Sequence, residues 1–217
     1  MDVYTPPAPV RPLLPIYRDE DCMIFEKPSG LLSVPGRGPD KQDCMSSRVA
    51  EEHIRVLIVH RLDMETSGLL LFARFGDAQR AFSELFATAQ VDKTYTAIVA
   101  GSPDADEGEI DLPLMRDWPN RPKQKVDYEE GKPARTLWKV LERVDGKTRL
   151  ELKPITGRTH QLRVHLDAIG HPILGDNLYG TVASRSAADR LMLHATRLKL
   201  RNPFTGHLID VTSRPPF

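Results

Sequence analysis

The sequence lacks the features that would place it outside the ordinary globular proteins. It has two cysteines in 217 residues, Cys22 and Cys44, and no CxxC spacing, which excludes a disulfide framework. Its most apolar run, residues 68–73, is far shorter than the roughly 18 residues that a membrane span needs. The N-terminus has no basic segment followed by an apolar stretch, so it is not a secretory signal. We therefore expect a soluble, cytoplasmic protein with free thiols.

An excess of charge of either sign is also missing. Lys and Arg number 30, Asp and Glu also number 30, and the formal net charge is zero. Net charge therefore gives no support to a nucleic-acid partner. A binder of RNA with this composition has to concentrate its basic residues on one face and place its acids elsewhere.

The common motifs of nucleotide and metal enzymes are absent as well. No GxGxxG follows a predicted strand, and neither GxxxxGK[ST] nor HExxH occurs. His160 and His165 are five residues apart, which places them on different faces of a helix and disfavours a zinc site. A glycosidase needs two positioned carboxylates, and only one carboxylate stands out.

Hydrophobic periodicity predicts an α+β fold with a mixed or antiparallel sheet, because strands outnumber helices and do not alternate with them. Residues 1–15 contain five prolines and are expected to be extended or disordered. Asp43 and Thr159 are predicted to cap helices, and Gly170 to end one. The predicted helices are 43–53, 78–89 and 159–169. The predicted strands are 22–26, 69–73, 93–100, 123–128, 136–143, 149–153, 191–201 and 208–211.

The first candidate for chemistry is the segment 59–69, which leads into the buried strand predicted at 69–73. Asp63 lies at the mouth of that strand, and the neighbouring Arg61 would hold its carboxylate ionised. The alternative is structural, since Asp followed by Thr66, Ser67 and Gly68 is also good turn chemistry. Local sequence alone leaves both interpretations open.

Three further segments carry residues suited to RNA chemistry, each with a plainer alternative. Arg163 lies on the border of its helix's apolar stripe, where its head can reach inward to a carboxylate or stay in solvent. Tyr95 offers a ring for base stacking and a phenol for proton transfer, or is an ordinary half-buried strand residue. Residues 116–125 interleave Arg and Lys with Trp118, which is typical of a phosphate-and-stacking surface or of a solvated run of charges.

Five motifs, in this order along the chain, resemble those of the RluA family of pseudouridine synthases. They are KPSGL at 27–31, HRLDMETSGL at 60–69, KTYTA at 93–97, TGRTHQLRVH at 156–165 and GHPILGD at 170–176. The resemblance implies the pseudouridine synthase catalytic fold, which is α+β, with a mixed, mostly antiparallel sheet, flanking helices and a central RNA-binding cleft. We expect one catalytic domain over residues 16–217, because the chain has no room for the N-terminal S4 RNA-binding domain that many relatives carry.

The resemblance assigns roles to particular residues. It implies that Asp63 is the essential carboxylate, that Tyr95 stacks on the target base and is a candidate general base, and that Arg163 forms a salt bridge with Asp63. It implies that Arg61 fills the space left by a flipped nucleotide. The other residues expected to contact RNA are His60, Arg158, His160, Gln161, Arg121, Lys123 and Lys125.

The implied activity is isomerisation of uridine to pseudouridine in 23S ribosomal RNA, in the anticodon stem-loop of transfer RNA, or in both. It needs no redox change and no external energy, so we expect no cofactor. We also expect no metal, no membrane association and, by default, a monomer that binds RNA. Two alternatives stay open. One is an RNA-binding or ribosome-assembly factor that has lost the chemistry, and the other is a hydrolase that cleaves N-glycosidic bonds and releases free uracil.

Overall fold

The computed structural model describes residues 4–217 in two compact units. The first unit runs to Asp92 and includes Ala195–Pro216, and the second is Lys93–His194 with Phe217. Along the chain the elements are β1 (Tyr17–Arg18), β2 (Cys22–Lys27), a 3₁₀ turn (Pro39–Lys41), α1 (Met45–Glu52), β3 (Leu57–Ile58), β4 (Ser67–Ala73), α2 (Gly76–Ala87), β5 (Asp92–Ala100), β6 (Glu107–Asp111), β7 (Leu114–Arg116), β8 (Gln124–Val126), β9 (Arg135–Val144), β10 (Lys147–Pro154), α3 (Gln161–Ala168), α4 (Val182–Ser186), β11 (Leu193–Arg201) and β12 (Leu208–Thr212).

The first unit is built around β4, whose seven residues are all buried. Its strands lie in the order β1-β2-β4-β11, with β3 also paired to β4 and β12 to β11. Strand β2 runs antiparallel to β4, from Cys22 opposite Ala73 to Lys27 opposite Gly68. Apolar side chains on one face of this sheet pack against Phe82 of α2. Burial on both faces explains why β4 reads as a continuous apolar run rather than an alternating one.

The second unit contains the antiparallel order β5-β10-β9-β6 and a separate two-stranded sheet of β7 and β8. Strands β9 and β10 form the predicted hairpin, in which Asp145 and Gly146 both have positive φ (49° and 71°). Two positive φ angles in succession are typical of the tight turn that matches the twist of paired strands. In the hydrophobic core of the second unit, alternate residues of β5 and β10 pack against Leu162 and Leu166 of α3.

The α+β prediction with a mixed, mostly antiparallel sheet is confirmed, but two predicted helix starts are wrong. Helix α1 has Cys44 as its N-cap, in a reciprocal capping box with Ser47. Asp43, the predicted cap, instead forms a bidentate ion pair with Arg48 at 2.6 and 2.7 Å. Helix α3 has His160 at its N-cap position, one residue after the predicted cap Thr159. Short strands such as β1, β3 and β7 were not predicted, because two or three residues carry too little periodicity to detect.

The proline-rich arm has no regular secondary structure in residues 4–15, yet it is attached to α1. The Arg48 guanidinium donates to the carbonyl of Pro7 at 2.7 Å. Arg11 forms ion pairs with Glu51 and Glu52. The backbone N–H of Leu13 donates to Glu52 at 2.7 Å. These bonds give the described part of the arm a fixed path over the helix.

Candidate active site

Asp63 lies in the loop between β3 and β4, within the first unit. It is half-buried, and its backbone carbonyl accepts the N–H of Thr66 at 3.1 Å. The turn predicted from its local sequence is therefore present. The same turn directs the chain into β4, so a structural role of the backbone and a chemical role of the carboxylate are compatible at this residue.

A buried lysine holds the loop that carries Asp63. Lys27, fully buried, donates from Nζ to the carbonyls of Pro28 (2.8 Å), Leu31 (2.6 Å) and Met64 (2.9 Å). Met64 also accepts the N–H of Gly30 at 2.9 Å. The KPSGL motif thus provides donors to the backbone immediately after Asp63. A buried cation is stable only when it is bonded in this way.

Gly68 explains why the motif around Asp63 ends in glycine. Its φ is +113°, and a Cβ at this position would lie 2.4 Å from the carbonyl oxygen of Ala195. Only glycine tolerates both the backbone conformation and this approach of the neighbouring backbone. The glycine therefore sets where β4 begins and where the loop before it lies.

The two residues predicted to contact RNA just before Asp63 have different surroundings. The ring of His60 stacks on Phe86 with centroids 4.1 Å apart, and its Nε2 accepts the N–H of Leu71 at 3.0 Å. This geometry favours a structural role for His60. Arg61 is exposed and makes no hydrogen bond or ion pair with the described residues 4–217, so the contact with Asp63 expected from the sequence is not seen there.

Arg163 lies in the second unit and is buried there with a carboxylate. Its Nε and one terminal nitrogen donate to the two oxygens of Asp176 at 2.8 and 2.6 Å, and both side chains are almost fully buried. The surface alternative for Arg163 is therefore wrong. Asp176 also accepts the backbone N–H groups of Leu178 and Tyr179. The bidentate geometry fixes the plane of the guanidinium. The salt bridge with Asp63 that the resemblance implies stays a prediction.

Sequence reasoning did not single out Asp176 or Tyr179 as site residues. The hydroxyl of Tyr179 accepts the N–H of Gln124 and lies 2.8 Å from Nδ1 of His160. The Arg163 guanidinium carbon lies 5.3 Å from the centre of the Tyr179 ring. Tyr179 thus connects the start of β8 to α3. The sequence feature that points to Asp176 is the GHPILGD motif, which ends at this residue.

Gln161 has an internal role. It is buried. Its amide oxygen accepts from the Thr156 hydroxyl and from the N–H of Arg158. Its amide nitrogen donates to the backbone carbonyl of Arg135 and to the Thr136 hydroxyl. Both donors and both lone pairs are thereby used. A direct contact with RNA is not supported for Gln161. The same bonds keep the turn before α3 outside the helix, which explains the late start of α3. Arg158 itself is exposed, and its Nε donates to a backbone carbonyl.

Strand β5 carries Tyr95 and also Lys93, which the sequence analysis did not predict as a site residue. Tyr95 is half-buried and packs against the core of the second unit. Lys93, two residues earlier, shares its face of the strand. Burial lowers the pKa of Lys93, and its ammonium forms no hydrogen bond or ion pair within residues 4–217. Its Nζ lies 3.8 Å from the position a Cβ would take at Gly157. A half-buried, unpaired cation beside the predicted stacking residue is a candidate for binding an anionic ligand.

The β7–β8 hairpin, residues 114–126, presents the predicted basic surface. Trp118 is exposed, and the guanidinium carbons of Arg116 and Arg121 lie 5.0 and 4.8 Å from its ring centre. Lys123 is half-buried, whereas Lys125 forms an ion pair with Asp127 at 2.8 Å. We refer to residues 114–126 as the basic hairpin. Its arginines are held against an aromatic ring, and the charge of Lys125 is already compensated.

No metal site or membrane helix is evident in the part of the chain that the structure describes. No three His, Cys, Asp or Glu side chains are grouped so as to hold a metal ion in residues 4–217. Over the same residues, no helix is both long and apolar enough to cross a membrane.

Comparison with known proteins decides the family. Residues 21–168 match the family described as RNA pseudouridylate synthase. The chain is 48% identical over 209 residues to the dual-specificity RNA pseudouridine synthase RluA of Escherichia coli (strain K12), covering 95% of this chain and 94% of that protein. The chain belongs to the RluA family of RNA pseudouridine synthases. The protein is therefore an RNA-modifying isomerase, and the resemblance seen in its motifs is confirmed.

Other relatives agree with membership of the RluA family. The protein of the same name from Pasteurella multocida (strain Pm70) is 46% identical over 216 residues, covering 99% of this chain and 98% of that protein. Among solved structures, human RNA Pseudouridylate Synthase Domain Containing 1 superposes with a TM-score of 0.81 and 30% identity, over 98% of this chain and 87% of that one. The pseudouridine synthase fold is thus confirmed over almost the whole chain.

Proposed function

We propose that this RluA-family enzyme has dual specificity and isomerises uridines in stem-loops of both 23S ribosomal RNA and transfer RNA. The observation that carries the proposal is the 48% identity, over 95% of the chain, to a relative named as dual-specificity RluA. The segment 117–125, with its tryptophan, prolines and basic residues, also resembles that protein. The enzyme is proposed to act in the cytoplasm, where both RNAs occur, and as a monomer.

The reaction requires a base to be detached and rejoined within one site. The C1′–N1 bond breaks, the uracil turns, and a C1′–C5 bond forms, while C5 loses a proton and N1 gains one. The atoms balance without an oxidant, a reductant or an energy donor, so the proposal includes no cofactor and no metal. The target nucleotide has to leave its stack, at a cost of a few kcal/mol that protein contacts must offset.

Asp63 is proposed as the residue that acts on the ribose, either as a nucleophile at C1′ or as a base at C2′. Its half-buried position in a loop with a fixed backbone supports this role, because a reacting group has to be held in place. Arg61 is exposed without an ion pair in the described chain, which supports its proposed place in the gap left by the flipped nucleotide. The roles of Tyr95 and Arg163 stay predictions, to be tested by Tyr95→Phe and Arg163→Met.

The proposed RNA contacts are cationic groups that form no ion pair with a carboxylate in residues 4–217. In the basic hairpin, Arg121 and Lys123 fit this description, and Trp118 adds an exposed ring for stacking. Lys93 is proposed as an additional phosphate contact beside Tyr95. Lys125, which is paired with Asp127, is a weaker candidate. Arg158 and His160 remain predicted contacts near the start of α3.

The proposal is tested with RNA that carries tritium at C5 of uridine. Turnover releases the label into water, because that proton has to leave. A 23S ribosomal RNA fragment and a transfer RNA anticodon stem-loop are assayed separately. Release from both is expected, and release from only one would contradict dual specificity.

The catalytic assignment is tested with the same assay on Asp63→Asn. We expect turnover to fall by at least about 10³-fold while the fold and the RNA affinity stay close to those of the parent enzyme. A variant that keeps near-normal turnover would exclude Asp63 as the catalytic carboxylate. Free uracil among the products of the parent enzyme would indicate a hydrolase instead.

A further inference from the structure

The residue before Asp63 is held at both of its backbone polar groups by one side chain. The Ser33 hydroxyl donates to the carbonyl of Leu62 at 2.7 Å and accepts the N–H of Leu62 at 3.1 Å. A hydroxyl has one hydrogen and two lone pairs, so it can make both bonds at once. Ser33 is 3% exposed and Leu62 is 6% exposed, which means that water does not compete for these bonds. The carbonyl of Leu62 belongs to the peptide group that joins it to Asp63.

The segment that contains Ser33 also holds the chain after Asp63. Lys27 and Gly30 donate to the carbonyl of Met64, and the Ser29 hydroxyl donates to the carbonyl of Glu65 at 2.6 Å. We call Lys27, Ser29, Gly30 and Ser33 the backbone clamp. The clamp bonds to the backbone on both sides of Asp63.

The clamp is itself anchored to α1, so it does not simply move with the Asp63 loop. The first helical residue, Met45, donates its N–H to the carbonyl of Leu32 at 2.7 Å, and Ser46 donates to the carbonyl of Ser33 at 3.2 Å. Ser33 therefore joins a helix terminus to the loop of Asp63. Within the clamp, Ser33 is the member seen to bond to the residue immediately before Asp63.

We propose that Ser33 is a positioning residue for the catalytic carboxylate of Asp63. This inference rests on the proposed catalytic role of Asp63. Ser33 does not touch the substrate in this proposal. It fixes the peptide from which the Asp63 side chain projects, and hence the approach of the carboxylate to the ribose. Displacement of a reacting group by about 1 Å is enough to lower a rate by about 100-fold.

The test compares Ser33→Ala with Ser184→Ala, using single-turnover tritium release at saturating RNA. Ser184 is also a buried serine, is 3% exposed, and donates to the carbonyl of Thr181, but it lies in the second unit. Ser33→Ala is expected to lower the rate per folded molecule by about 10- to 100-fold, with the RNA affinity within twofold of the parent. Ser184→Ala is expected to leave the rate unchanged. The folded fraction of each variant is measured by circular dichroism.

A second variant covers the case in which Ser33→Ala does not fold. In Ser33→Cys the thiol occupies a similar space and bonds more weakly, so an intermediate loss of rate is expected. If both Ser33 variants keep the parent rate per folded molecule, the residue is only structural and the inference is wrong. If Asp63→Asn keeps its turnover, the proposed function fails first, whatever the Ser33 variants do.

Discussion

Two lysines of this enzyme, Lys27 and Lys93, differ in how far they are buried and in whether their ammonium groups have hydrogen-bond partners. Lys27 is fully buried, and three backbone carbonyls surround its ammonium at 2.6–2.9 Å. Lys93 is half-buried beside Tyr95 and has no partner in the described chain, and its burial lowers its pKa. Both belong to motifs that resemble the family's, so sequence alone would treat them alike.

The difference between the two lysines separates structure from substrate binding. A buried cation with all its donors used contributes to the fold, and its removal leaves carbonyls without donors. A cation that is desolvated and unpaired costs stability in the free protein, and this cost is recovered only when an anion arrives. The comparison therefore predicts opposite results for the same substitution at the two positions.

The largest expected effect is on stability. Lys27→Met should lower the free energy of unfolding by about 2–4 kcal/mol, because the carbonyls of Pro28 and Leu31 lose their buried donor. The matched variant Lys93→Met should leave it within about 0.5 kcal/mol of the parent value, or raise it. Urea denaturation of the two variants measures the contrast. Equal losses of unfolding free energy in the two variants would show that Lys27 and Lys93 do not differ in their contribution to the fold.

The basic hairpin should show the next largest effect, on RNA binding. Replacing Arg121 and Lys123 by Met removes two charges that form no ion pair in the described chain, so the slope of log K against log salt should fall by about two. Lys125→Met should change the slope by much less, since Asp127 already pairs with that lysine. A Lys125 variant with the larger change would show that ion pairing is a poor guide to RNA contacts in this protein.

Lys93 should contribute a single phosphate contact. Lys93→Met should lower the same slope by about one, whereas Lys93→Arg should keep it. Fluorescence anisotropy with a labelled stem-loop at several salt concentrations measures both. An unchanged slope for Lys93→Met would assign the unpaired ammonium to something other than the RNA backbone.

A smaller, pH-dependent effect is expected from a buried base that does have partners. His165 is fully buried between Thr136 and the carbonyl of Leu112, and burial lowers its pKa. Below the unfolded pKa of about 6.5 the unfolded chain binds the proton more readily than the native one. Stability should therefore fall as the pH drops from 7 to 5. His165→Gln should flatten this part of the pH profile, measured by urea denaturation, and an unchanged profile would contradict the assignment.

Much of the fold was accessible from sequence because its main elements have long periodic patterns. The strand at 69–73, the helix near 78–89 and the hairpin at 144–147 are all present close to their predicted bounds. The caps of α1 and α3 each lie one residue after the predicted ones, because side chains elsewhere decide them. The Asp43 carboxylate is paired with Arg48 and does not cap α1. The Gln161 side chain accepts the N–H of Arg158 in the turn before α3.

The candidate site was less accessible, since its residues owe their roles to partners distant in sequence. The pattern placed Arg163 at the edge of a buried stripe but could not show that Asp176 is its bidentate partner. His60 and Gln161 looked suited to RNA, yet their bonds to Leu71 and Thr136 are internal. Spacing identifies which side chains share an element and not which distant backbone groups they meet.

The two cysteines provide a way to observe local opening of the molecule. Cys22 lies in the central part of the first unit and Cys44 caps α1, and both are fully buried. A thiol reagent can therefore reach either one only after the strand or the start of the helix has come apart. Residues 93–194 contain no thiol, so labelling rates report on the first unit alone. Labelling rates measured with and without RNA would show whether substrate binding slows local unfolding of the first unit, which carries Asp63.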